Sequence, residues 1–73
     1  MFVNVNKIHG KLKALGLTVE DAAERMGIDR STLYRKLKNN GAGLTVKDAQ
    51  MLVDILQLTE LEALEIFFAR EVA

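Results

Sequence analysis

The 73 residues contain no cysteine, no proline and no tryptophan, and histidine occurs once, at His9. The lack of cysteine excludes disulfides and thiolate metal sites, and fits a reducing compartment. A lone histidine cannot build a multi-histidine metal centre. Without proline, no helix is interrupted by one. No apolar run approaches the ~18 residues that a membrane span needs. The opening Met1-Phe2-Val3-Asn4 lacks the basic region and apolar core of a secretory signal. The expectation is a cytoplasmic protein that does not contact the membrane.

Apolar residues make up 49% of the chain and charged residues 27%, a globular composition rather than a disordered one. The length suits one small domain spanning residues 1–73. With no covalent staple, stability must come from helix packing, capping or a partner chain. The net charge is zero, but it is unevenly spread. Residues 1–47 carry nine basic and four acidic side chains, net +5, whereas residues 48–73 carry one basic and six acidic, net −5. The pattern predicts a basic face and an acidic face.

Five helices follow from apolar spacing and capping residues. The first spans about 5–15: Val5, Ile8, Leu12 and Leu15 share one face, Asn4 caps the start and Gly16 ends it. The second spans 19–26, capped by Thr18 with Asp21 completing a capping box. The third spans 30–38, with Asp29 as N-cap and Leu33 and Leu37 facing the core. Asn39-Asn40-Gly41-Ala42-Gly43 then reads as a loop. The fourth spans 46–57, with Val46, Ala49, Val53 and Leu56 as its core stripe, and the fifth spans 60–70. Gly43-Leu44-Thr45-Val46-Lys47-Asp48-Ala49 nearly repeats Gly16-Leu17-Thr18-Val19-Glu20-Asp21-Ala22, and Thr59 with Glu62 follows the same plan. The likeness between the two longer segments stops after seven residues, so all three are helix-start signals rather than units of a repeat. No strand pattern competes, and the expected fold is compact and all-α.

Thr18 to Leu37 carries the functional signal. Ala23 is small enough for a close helix crossing, Gly27 suits a turn that needs positive φ, and Ile28 and Leu33 can pin both helices to the core. Arg30, Ser31, Tyr34, Arg35 and Lys38 are left pointing away from Leu33 and Leu37. This is the layout of a helix-turn-helix, in which the start of the second helix meets base edges and arginine pairs with guanine. Asp29 would repel DNA there unless capping kept it engaged.

Gly27-Ile28-Asp29-Arg30-Ser31-Thr32-Leu33-Tyr34-Arg35-Lys36-Leu37 resembles the Cro/cI-type helix-turn-helix of lambda-repressor-like (XRE family) proteins, and Ala63-Leu64-Glu65-Ile66-Phe67-Phe68 resembles their final helix. The likeness runs from about Asn4 to Phe68, and the segment is similar to small phage and prophage repressors of Gram-positive bacteria. It implies a five-helix DNA-binding domain, a repressor or Cro-like transcriptional regulator acting by operator occupancy in the bacterial cytoplasm or nucleoid, and double-stranded DNA as partner. Carried over residue by residue, the base contacts fall on Arg30, Ser31 and Arg35, beside which Tyr34 either stacks on DNA or covers the core edge. Phosphate contacts fall on the backbone N–H groups of Thr18 and Val19 and on Lys38, Asn39 and Asn40. Val19 replaces the glutamine that many relatives carry, which removes a side-chain phosphate contact.

Neither a nucleophile arrangement nor a phosphate loop is present, since Gly41-Ala42-Gly43 lacks the lysine and hydroxyl of that motif. The expectation is no enzyme, no cofactor, no metal and no small-molecule ligand. Met51, Ile55 and Leu58, with Ile66 and Phe67, add apolar surface that is either core or a homodimer face built from the last two helices. A protein-interaction module or an antitoxin is the alternative use of the same fold.

Overall fold

Three threonines start three of the helices, each in the same way. In the computed structural model, which describes residues 2–68, the Oγ1 atoms of Thr18, Thr45 and Thr59 accept from the backbone N–H of Asp21, Asp48 and Glu62 at 3.1, 3.1 and 3.2 Å. Each acid returns the bond to the threonine N–H, at 2.9, 2.9 and 3.0 Å. These reciprocal bonds satisfy donors that a helix start would leave bare. Asn4 caps the first helix through Lys7 N–H at 3.2 Å.

The elements are α1 (Val5–Ala14), α2 (Val19–Met26), α3 (Arg30–Gly41), α4 (Val46–Ile55) and α5 (Glu60–Phe67). No strand occurs among the described residues. The fold is all-α, and its radius of gyration of 11.3 Å is that of a compact chain of this length, about 11 Å. The expected continuation of the last helix to Arg70 falls outside the described residues.

The two ends of α3 are set by left-handed backbone. After α2, Gly27 takes φ 74° and the Ile28 N–H closes onto the Ala23 carbonyl at 3.0 Å. That left-handed residue and six-to-one bond turn the chain sharply into α3. Within α3, regular helix stops at Leu37: Lys38 is extended (ψ 158°), and Asn39 and Asn40 are left-handed at φ 53° and 58°. Gly41 continues at φ 74°. Asparagine tolerates this region better than most side chains because its short amide bonds locally.

The N-terminal segment clasps this left-handed turn. Val3 N–H donates to the Asn40 carbonyl at 2.9 Å, and Asn4 N–H donates to the Ile66 carbonyl at 2.8 Å. Val3 is 1% exposed and fills the space that a side chain at Gly41 would need. A single core cluster draws on every helix, with Ile8, Ala22, Leu33, Leu52 and Ile66 among its buried members.

Two expectations about the core are corrected. Val46 is 71% exposed, and Leu52, which the expected stripe left out, is buried on α4; Ala49 and Val53 pack against the core and Leu56, just past the helix end, is buried as expected. Ile66 and Phe67, expected at a dimer face, are 1% and 3% exposed and belong to the protomer's own core. The last helix packs against α1 and the N-terminal segment through that side, leaving Leu61, Leu64 and Phe68 outward. Met51, Ile55 and Leu58 are half-buried against the core.

Candidate nucleic-acid interface

A residue every 100° around α3 separates its faces. Leu33 and Leu37 are buried on one side, while Ser31, Tyr34, Arg35 and Lys38 lie exposed on the opposite one. Ala22 and Ala23, 0% and 1% exposed, give α2 a side without bulk where it packs beside α3. The bend at Gly27 thus presents one polar stripe to solvent. Tyr34 is 49% exposed and projects from this stripe rather than sealing the core.

Arg35 is exposed and makes no ion pair among the described residues; its Nη2 donates to Thr32 Oγ1 one turn back at 3.3 Å. Lys38 is exposed too and, among the same residues, unpaired. Arg30 is exposed too, but it sits on the flank of α3 nearest α2, where its Nη1 lies 3.4 Å from Glu20 Oε2. Both partners are more than 60% exposed, so the pair is weak and readily exchanged for another acceptor. Glu24 and Asp29 line the same shallow hollow as Glu20, Arg30 and Ser31. The stripe is therefore polar along its length, with acids at its N-terminal end and cations at its C-terminal end.

Asp29 is in the N-cap position but its side chain makes no capping hydrogen bond. The expectation that capping would occupy its carboxylate is overturned. The extended backbone at φ −72° and ψ 151° starts the helix without it.

The expected phosphate contacts are also revised in part. Thr18 N–H is committed to Asp21 at 2.9 Å, so it is not free for a phosphate. The Asp21 carboxyl is held below its usual range, first by that backbone N–H and then by the Thr18 hydroxyl, so it stays charged in this role. Val19 keeps a helix-start N–H above a buried side chain. Lys38, Asn39 and Asn40 all face solvent. The Asn40 carbonyl is taken by Val3, which fixes the turn.

Sequence reasoning missed the anchor behind the stripe. Lys36 Nζ lies 2.9 Å from Asp48 Oδ2, joining α3 to the start of α4. Asp48 is buried, and burial works against its charge. The Thr45 N–H and the Lys36 ammonium outweigh that, and its pKa is lowered. Nothing local pairs residues 36 and 48, so periodicity carried no signal for it. Lys7 and Lys11 are likewise taken, by Glu65 at 2.9 Å and Glu62 at 2.7 Å on α5. The expected separation of a basic from an acidic face is thus partly cancelled: three lysines of the basic half neutralise acids of the other half.

Residues 12–39 match the family model described as bacterial regulatory protein, Fis family, with a helix-turn-helix. The match supports a helix-turn-helix DNA-binding regulator. It begins in the last turn of α1, takes in α2, the Gly27 turn and α3, and ends in the left-handed turn at Asn39. No curated protein and no solved structure matches the chain. No described helix is long and apolar enough to cross a membrane.

Proposed function

We propose that the chain is a sequence-specific transcriptional regulator of the phage or prophage repressor type, acting by occupying an operator. The observation that carries this is the solvent-facing stripe Ser31, Tyr34, Arg35 and Lys38 on the helix that follows the Gly27 turn. Helix-turn-helix motifs place that helix in the major groove, with its early residues on base edges. Arg30, Ser31, Tyr34 and Arg35 are assigned to the bases, and Val19 N–H, Lys38, Asn39 and Asn40 to phosphates. The narrower likeness to the Cro/cI type rests on layout: the motif is the second and third of five helices.

A single module of this kind binds DNA weakly, and two-fold partners reading half-sites about 34 Å apart solve that. We assign the homodimer face to the exposed apolar residues of the last two helices, Val46, Leu61, Leu64 and Phe68, rather than to Met51, Ile55 and Leu58, which are half-buried against the core. An apolar groove of about 270 Å³ runs between these helices. The same groove favours the second reading, a protein-interaction module or antitoxin with a different protein seated there.

Titration of the chain onto a selected duplex tests the proposal. Arg35→Ala and Arg30→Ala should each cost about 1–3 kcal/mol and relax specificity at one position. Lys38→Ala should weaken all sequences alike and reduce the salt slope by about 1. Full discrimination by both arginine variants would refute the base assignments. Absence of binding to any duplex would favour the protein-partner reading.

A further inference from the structure

Among the five described helices, four have an N-cap side chain bonded to the backbone: Asn4, Thr18, Thr45 and Thr59. Asp29, at the tip of the recognition helix, does not. Its carboxylate makes no salt bridge among the described residues either, because the adjacent Arg30 is turned to Glu20. A charged acceptor thus stands exposed and uncommitted where a helix-turn-helix meets base edges.

We propose that Asp29 is a specificity-determining residue of the DNA interface, its carboxylate selecting cytosine at the base edge met by the tip of α3. The inference rests on the DNA-binding reading. An ionised carboxylate only accepts hydrogen bonds. In the major groove guanine offers two acceptors, N7 and O6, and thymine offers its O4 acceptor and a methyl group. Adenine sets its N6 donor beside the N7 acceptor, whereas cytosine offers its N4 donor alone. Cytosine is therefore the base that meets Asp29 without repulsion. Arg30, next in the chain, has the opposite need and suits guanine N7 and O6. Together the two neighbours read a G·C-containing step.

Charge around the tip argues for this placement. Glu20, Glu24 and Asp29 surround Arg30 in one hollow, which makes the tip a poor seat for phosphate. The exposed cations Arg35 and Lys38 lie further along α3. Docking with Lys38 on the backbone, Arg35 in the groove and the tip of α3 ahead of it puts the carboxylate against a base.

Selection from a random duplex pool, with the full chain and the variants Arg30→Ala, Asp29→Asn and Asp29→Ser, tests the idea. Wild type should enrich a motif with cytosine at or next to the position that loses its preference in Arg30→Ala. Asparagine pairs with adenine N6 and N7, so Asp29→Asn should shift the cytosine position to adenine, with a change in preference of about tenfold. Serine is a good N-cap, so Asp29→Ser should keep its helical circular dichroism and lose preference at that position only. A cytosine position unchanged in both variants overturns the role of Asp29 and leaves the DNA-binding reading intact. A wild-type preference for guanine or thymine there does the same. If wild type enriches no motif, the DNA-binding reading fails and the role of Asp29 with it.

Discussion

A Cβ added at Gly41 would lie 2.7 Å from the Cβ of Val3, and the backbone there has φ +74°. Both facts oppose any side chain. The left-handed conformation alone costs an L-residue roughly 1–2 kcal/mol, and the clash adds to it. Gly41→Ala should therefore lower unfolding free energy in urea by about 2 kcal/mol or more. Gly10 is the opposite case: it lies inside α1, and an added Cβ meets nothing within 4 Å. Gly10→Ala should raise stability by about 0.5–1 kcal/mol in the same measurement, because alanine loses less backbone entropy in a helix. A Gly41→Ala variant as stable as the wild type would show that the clasp of Val3 and the left-handed turn do not exclude a side chain there.

At the scale of helices, caps and cross-helix pairs act together. α4 ends through Gln57, a non-glycine at φ 53°, with Leu58 N–H closing onto the Val53 carbonyl at 3.0 Å. Glycine would fit that conformation without the side-chain penalty, offset by its extra freedom when unfolded. Gln57→Gly is expected to stabilise by up to about 1 kcal/mol, read from the urea midpoint at unchanged slope. α5 depends on Glu62, which caps Thr59 and holds Lys11. The Lys11 ammonium first, then the Thr59 N–H, lowers the Glu62 pKa from an ordinary 4.5 to about 2. A folded pKa below the unfolded one means the stabilisation is present above about pH 4.5 and is lost as pH falls toward 2. Asp21 and Asp48, also lowered, add to the same acid limb. Urea titrations at pH 7, 4.5, 3 and 2 should show stability falling across this window. Lys11→Met should make the fall shallower, and an equally steep fall would show that the Lys11 pair is not its source.

For the whole molecule, the balance of charge governs how DNA is met. With Lys7, Lys11 and Lys36 committed to acids, few cations remain for phosphates. The dependence of log affinity on log salt should be modest for each protomer, about −2 to −4, at roughly −0.9 per phosphate neutralised. A slope beyond about −6 per protomer would require the internal pairs to open on DNA. The exposed apolar face gives a second whole-molecule test. Leu61→Glu and Leu64→Glu should leave the thermal melt of the protomer nearly unchanged, since both side chains are outward at 65% and 49% exposure. They should abolish any dimer seen by sedimentation and weaken binding to a palindromic duplex more than to a half-site. A dimer surviving both changes would place the two-fold contact elsewhere.

Local chemistry determined the helices. Asn4, Thr18, Thr45 and Thr59, with acids three residues after each threonine, mark four helix starts to the residue, because a capping box is closed by side chains within one turn. Gly27 and the leucine pair Leu33 and Leu37 likewise made the polar stripe of α3 readable, since turn geometry and 3.6-residue periodicity are local properties. Tertiary structure decided whatever depends on distant neighbours. It placed Ile66 and Phe67 in the core and Val46 outside it, because which side of a short apolar helix is covered depends on where α1 and the N-terminal segment lie. It also spent Lys36 on Asp48, turned Arg30 to Glu20 and left Asp29 uncommitted. An ion pair or a free carboxylate depends on distances across the fold, and spacing along the chain does not encode them.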